Sequence, residues 1–245
     1  MSSRRKFLKQ LGAASFMAPV YSYATISEEE LEKRIIPYER KYSSFDDINV
    51  GIIGFGIMGS RNAKTILQVP GVKLKAVCDL YKGRLERAKE LYGTDLFVTQ
   101  SYQEVLNRSD IDAVIICTSD QWHDKISIDA MRKQKAVYCE KPVVHQLNQG
   151  WELINVQQQT GVVLQVGSQR VSSIAYAEAK RHYKAGEIGQ LNCIEASFDR
   201  HTALGAWQYT MPLDASMDTI AWKKYLKADP NTPFDAKRFF WWRNY

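Results

Sequence analysis

The sequence has no C-x-x-C pair among its four cysteines, and its four histidines form no Cys/His group with zinc-ligand spacing. A zinc ribbon, a zinc finger and a dithiol redox motif are thereby excluded. Three of the cysteines (Cys78, Cys117 and Cys139) end apolar runs, where small buried hydrophobes belong. With Cys193 they are read as core residues; an oxidising compartment would permit a disulfide, but the spacing calls for none. Long apolar runs are also missing. The uncharged stretch from Gln10 to Ser27 is only mildly apolar and is interrupted by Pro19, so it does not make a stable membrane span. Charge of one sign is scarce once the N-terminus is set aside. The formal charge is +6, but residues 1–24 carry Arg4, Arg5, Lys6 and Lys9 and no acid, leaving 29 basic against 27 acidic side chains. A balance so near neutral gives no electrostatic footprint for DNA or RNA. Internal repeats and low-complexity tracts are absent as well.

What is present begins with "SRRKFLK", a pair of arginines ahead of that uncharged stretch. Ser22-Tyr23-Ala24 offers small residues at the usual cleavage spacing, so residues 1–24 read as a twin-arginine signal peptide cut after Ala24. This predicts the twin-arginine export machinery as a partner and a periplasmic or exported location. A basic disordered start followed by a short helix is the plainer alternative. Residues 25–47 are charge-rich and read as an N-terminal arm.

From Ile48 onward short apolar runs alternate with stretches of helical spacing: "NVGIIGFG", "VKLKAVCD", "DLFVTQ", "DAVIIC", "AVYC" and "VVLQVG" as strands, with helices between them. Strands apolar on both faces, alternating with helices, predict an α/β fold: a Rossmann-type doubly wound parallel sheet over residues 48–170. "SYQEVLNRS" carries a capping-box pattern, Ser101 with Glu104. After Gln169 the pattern changes. "AYAEAKRHYKAGEIG" predicts a helix ended by Gly189, and "QLNCIEASFD" a strand. Residues 171–245 are therefore expected to begin an α+β substrate and oligomerisation domain with a mixed or antiparallel sheet. The last residues, "RFFWWRNY", are rich in aromatics that need burial. They form a terminal clasp, a subunit contact, or part of a domain that continues past Tyr245. The last is favoured, because roughly 75 residues make a poor core alone.

"GFGIMG" sets Gly54, Gly56 and Gly59 in G-x-G-x-x-G spacing, after a strand and at the start of a helix. That context makes it a dinucleotide fingerprint. Gly54 allows the tight turn, Gly56 admits the pyrophosphate, and Gly59 lets helix and strand pack closely. Free N–H groups around Ile57 and Met58 face the phosphates. Asp79 closes the second strand about 20 residues on, placed to accept from the ribose hydroxyls, which favours NAD over NADP. Thr118 and Ser119 end the "DAVIIC" strand, where their hydroxyls reach a cofactor or cap a helix. His123 either lines the same crevice or is an ordinary surface histidine. "YCEKP" brings Glu140, Lys141 and Pro142 to the end of the fifth strand, and Gln169 and Arg170 follow the sixth. A cationic nicotinamide beside Lys141 favours its neutral amine, the form able to take a proton from a substrate hydroxyl. Pro142 fixes the backbone there, with a cis bond open to it.

Together "GIIGFGIMGS", "CTSDQWH", "YCEKP" and "VGSQR" resemble the Gfo/Idh/MocA oxidoreductases, over residues 48 to the end. The resemblance implies NAD as cofactor, a sugar, cyclitol or other polyol as substrate, and pairing into a homo-oligomer. It implies that Lys141 is the catalytic or substrate-positioning lysine and that Glu140 and Lys141 approach the nicotinamide. Exported members with twin-arginine signals fit residues 1–24. The family completes its site with an Asp and a His beyond a tryptophan-rich segment like "FFWWRNY"; His182 and His201 precede that segment and do not match. Three functions are consistent with this pattern: an NAD-dependent sugar or polyol dehydrogenase, a glycosidase working by transient oxidation and elimination, and an NAD-binding chain without activity.

Overall fold

The structure, a computed structural model, describes residues 47–198, 203, 205–227 and 231–245. The expected signal peptide, nearly all of the expected arm, and Arg200 and His201 lie outside the described residues. The described chain belongs to two compact units, one of residues 41–169 with 193–245 and the other including residues 170–192.

In the larger unit the elements run β1 (Ile48–Ile53), α1 (Ile57–Ile66), β2 (Val72–Cys78), α2 (Lys82–Tyr92), β3 (Phe97–Thr99), α3 (Tyr102–Leu106), β4 (Ala113–Ile116), α4 (His123–Arg132), β5 (Ala136–Glu140), α5 (Gln149–Thr160) and β6 (Leu164–Gly167). The six strands form one sheet in the order β3-β2-β1-β4-β5-β6, with every pair parallel. Strand residues alternate between its faces. Val50, Ile52 and Ile115 pack on one side with Ala63 of α1 and Leu85 and Ala88 of α2. Val114, Ile116 and Val137 pack on the other with Ile126 and Met131 of α4 and Leu153 and Val156 of α5. Ile52, Val114 and Ile116 are wholly buried, and each such side chain contributes about 1.5–3 kcal/mol. The chain leaves β1 toward β2 and β3, then returns to place β4 on the other flank of β1. That reversal opens a crevice at the carboxyl ends of β1 and β4.

The aromatic-rich end of the chain packs on the turn between β2 and α2. Ala221 N donates to Leu80 O and Lys82 N to Thr219 O, each at 2.9 Å, around an antiparallel bridge between Tyr81 and Ile220. Two short helices follow, α7 (Trp222–Tyr225) and α8 (Ala236–Phe240), numbered after α6 of the smaller unit. Asp235 caps α8 by accepting from Lys237 N and Arg238 N. Trp222, Tyr225, Phe239 and Phe240 are buried with Tyr81, and the ring of Phe240 meets that of Tyr81 edge-on at 5.6 Å.

The smaller unit holds α6 (Ile174–Lys184), none of whose residues is buried. It ends five residues before Gly189, at Lys184, with Gly186 already at φ +74°. Residues 190–198 are irregular and exposed rather than a strand, and Cys193, expected in the core, is exposed with them. They pair with no strand among the described residues, and a strand without a partner has no ladder to hold it. Ser101 starts α3 without forming the expected capping box: its Oγ donates to Gln103 Oε1, while Glu104 accepts from Thr99 Oγ1 at 2.5 Å.

Candidate cofactor and catalytic site

The glycine turn is shaped by sterics at two positions. Gly54 has φ +91°, and a Cβ there would lie 2.6 Å from the Cys117 carbonyl on β4's outgoing chain. At Gly59 a Cβ would lie 1.9 Å from Gly54 O, so α1 approaches β1 as closely as only glycine permits. Gly56 differs. A Cβ there would meet the Arg84 guanidinium, at 3.7 Å, an ordinary van der Waals contact. The first turn of α1 carries no acid and no side chain caps it. The N–H groups of Ile57, Met58 and Gly59 are thus available to an anion at the helix start.

Asp79, at the end of β2, is buried. Its Oδ2 accepts from Phe55 N at 2.7 Å and its Oδ1 from Tyr81 N at 2.9 Å. It therefore also fixes the glycine turn. The remaining acceptor site of each oxygen meets only a long contact from Arg84 Nη1, which a ribose hydroxyl would share or displace. Arg84 Nη1 stands 3.4 Å from both oxygens, and its guanidinium lies over the rings of Phe240 and Phe239 at 5.4 and 5.9 Å. Sequence reasoning missed Arg84, which is fixed in place by aromatics more than 150 positions away in the chain.

At the end of β5, Glu140 is buried. Its Oε1 accepts from Asn62 Nδ2 at 3.1 Å and from Gln169 Nε2 at 3.5 Å, whereas Oε2 is buried with no hydrogen-bond partner. A buried carboxylate oxygen without a donor is costly, and a ligand N–H would satisfy it. Asn62 also donates to Cys117 Sγ at 3.3 Å, joining α1, β4 and β5. Nothing marked Asn62 in the sequence beyond its place three residues after Gly59. Burial pushes the Cys117 thiol up to about 12, so it is no nucleophile. The Lys141–Pro142 peptide is cis, and Lys141 is exposed beside it.

His123 is not a surface histidine. It is 1% exposed, its Nδ1 is 2.7 Å from Pro142 O and its Nε2 is 3.1 Å from Thr118 O. The ring therefore straps the β4 and β5 ends together and does not point into open space. Thr118 donates to Ser119 O, and Ser119 precedes a 3-10 turn, Asp120–Trp122, without a side-chain cap bond. Asp120, unmarked by sequence reasoning, faces Arg243 Nη1 at 3.3 Å. Burial raises its carboxyl above the ordinary range, against the opposing pull of Arg243, His123, Lys141 and His145. Arg170 begins the smaller unit as an exposed residue of the 3-10 turn Gln169–Ser172. No group of three or more His, Cys, Asp or Glu side chains able to hold a metal occurs among the described residues. No helix among them is long and apolar enough to cross a membrane.

Residues 48–168 match the model of an oxidoreductase family, Gfo/Idh/MocA, with an NAD-binding Rossmann fold. Scyllo-inositol 2-dehydrogenase (NAD(+)) of Bacillus subtilis is 38% identical over 144 residues, 58% of this chain and 42% of that protein. A glycosyl hydrolase family 109 protein of Shewanella is 35% identical over 125 residues, covering 46% of this chain and 26% of that one. Among solved structures, scyllo-inositol dehydrogenase from Lactobacillus casei with bound NAD(H) and scyllo-inositol superposes with a TM-score of 0.56 at 27% identity, over 59% of this chain and 43% of that one. The chain thus spans less than half the length of the relatives it matches.

Proposed function

We propose, from the match of residues 48–168 to the Gfo/Idh/MocA oxidoreductase family model, that this chain binds NAD across the carboxyl edge of its sheet and serves hydride transfer with a sugar or polyol. The observation that carries the reading is the meeting of the glycine turn and the Glu140–Lys141–Pro142 turn at the topological switch, joined through Asn62. The uncapped start of α1 suits a pyrophosphate, Asp79 suits ribose hydroxyls, and the unpartnered Glu140 Oε2 suits the carboxamide N–H of a nicotinamide. Gly54, Gly56, Ile57, Met58, Gly59, Thr118, Ser119, Glu140, Lys141 and Gln169 line this assignment, with His123 supporting it from behind. NAD, when bound, supplies the hydride acceptor. Lys141 takes the proton from the substrate hydroxyl as the carbon loses hydride. NAD is preferred to NADP because Asp79 repels a 2′-phosphate.

The inositol dehydrogenases among the relatives support a cyclitol or related polyol. The Shewanella relative supports a second reading, in which the same oxidation is transient and a glycosidic bond is eliminated with no net hydride transfer. The paired arginines and Ser22-Tyr23-Ala24 support export by the twin-arginine route. NADH fluorescence titration tests the cofactor, and NADH absorbance with a panel of cyclitols and sugars tests the reaction. Aryl-glycoside cleavage without net NADH selects the second reading, and absence of NAD binding refutes both.

A further inference from the structure

A cavity of about 630 Å³ opens beside the β4 and β5 ends, within the larger unit. Its size is that of a small-molecule site. Asp120 and His145 contribute from the sheet side, and Trp207, Arg238, Trp242 and Arg243 from the aromatic-rich end. The wall's charge is lopsided. Lys227, Arg238 and Arg243 line it against a single acid, Asp120.

Those three cations are engaged to different degrees. Lys227 is spent: its ammonium donates to Gln121 O at 2.7 Å and to both carboxylate oxygens of Asp124 at 2.8 and 3.1 Å. The Arg243 guanidinium lies over the rings of Trp242 and Trp207, at 4.4 and 4.7 Å from their centroids. It reaches Asp120 only at 3.3 and 3.5 Å, longer than the 2.7–2.9 Å of a well-made charge-assisted bond, so its donors are not exhausted. The guanidinium of Arg238 has no carboxylate partner among the described residues; only its backbone is engaged, with Asp235 and with the Tyr225 hydroxyl. The cavity thus offers one guanidinium without a carboxylate partner among the described residues, a second that is loosely paired, and aromatic and amide groups suited to a hydroxylated ring.

We infer that this cavity receives a sugar or polyol bearing an acidic group, a carboxylate or a phosphate ester, held by Arg238 and Arg243. The inference rests on the oxidoreductase reading only for the use made of the bound sugar; binding itself is read without turnover.

The test uses the full chain and follows tryptophan fluorescence and calorimetric heat on titration with glucuronate, glucose 6-phosphate, glucose and myo-inositol. At least one acidic sugar is expected to bind on the order of tenfold or more tightly than glucose and myo-inositol, the weight of one charge-assisted hydrogen bond. Glucuronate against glucose 6-phosphate tells a carboxylate from a phosphate site. Arg238→Ala is expected to erase the preference and Arg238→Lys to keep part of it, with NAD affinity unaltered in both. Equal binding of neutral and acidic sugars, no binding of either, or a preference untouched in a folded Arg238→Ala protein overturns the inference. The comparison of sugars on the parent protein decides even if the variants fail to fold. Loss of NAD binding, measured in the same preparations, refutes the oxidoreductase reading instead.

Discussion

The imidazole of His123 lies 2.7 Å from the carbonyl oxygen of Pro142, with its other nitrogen against Thr118 O, so one buried ring spans the two strand ends that frame the crevice. His123→Ala leaves a buried void and one carbonyl without its N–H donor. A loss of about 2–4 kcal/mol is expected, read as a lowered denaturation midpoint. NAD affinity should fall as well, since the Glu140–Lys141 turn loses its brace. A variant that unfolds like the parent and binds NAD equally well would remove the strap role.

Two glycines should respond very differently to alanine. Gly59→Ala drives a Cβ to 1.9 Å from Gly54 O, so the turn must shift and NAD binding should be lost even if the protein folds. Gly93 also has positive φ, +105°, but a Cβ there meets nothing within 4 Å. Its replacement should cost about 1–3 kcal/mol, because φ +105°, ψ 152° is backbone that only glycine readily adopts, and should leave NAD binding intact. Titration of both variants with NADH checks the contrast.

The docking of the chain's aromatic end is tested at Trp222. It is 3% exposed, stacks on Tyr225 at 5.2 Å, meets Phe234 at 5.5 Å and donates Nε1–H to Thr232 O at 2.9 Å. Trp222→Ala should cost about 3–5 kcal/mol, and it should loosen Arg84 through the same cluster. Chemical unfolding monitored by circular dichroism measures the first effect, and NADH affinity the second.

The sheet and its crevice were legible in the sequence because apolar runs, glycine spacing and the Glu140–Lys141–Pro142 turn are local patterns. Asp79 and Glu140 were found as strand-end acids, yet their partners Phe55 N and Asn62 depend on tertiary proximity that no local pattern encodes. The same holds for Arg84, whose position is set by Phe239 and Phe240, and for Asp120, whose partner Arg243 stands over 120 positions away. The expected strand failed over residues 190–198 because alternation reports a face to be covered, not the neighbour that covers it. The Ser101–Glu104 capping box failed because Thr99 supplied Glu104 with a nearer donor.

Asp120 gives a pH signature. Burial raises its carboxyl above the ordinary 3.8, so the folded state keeps a proton that the unfolded state has released. Stability from this group therefore declines as pH rises from 3.8 to the folded value, and the penalty persists at neutral pH. Asp120→Asn removes it. The variant's melting temperature relative to the parent should rise between pH 4 and pH 7, then stay level. A difference that moves the other way would mean that the Arg243 contact outweighs the burial.

The most direct test of the account is titration of the parent protein and Glu140→Gln and Lys141→Ala variants with NAD and NADH, followed by turnover with a panel of cyclitols. The parent should bind NAD. Glu140→Gln should bind it more weakly, having exchanged a carboxylate for an amide at the buried unpartnered oxygen. Lys141→Ala should bind NAD with near-parental affinity and lose at least a hundredfold of whatever turnover the parent shows, the upper part of what one acid–base group contributes, about 10²–10⁴. A parent that does not bind NAD, or a Lys141→Ala protein as active as the parent, would contradict the account.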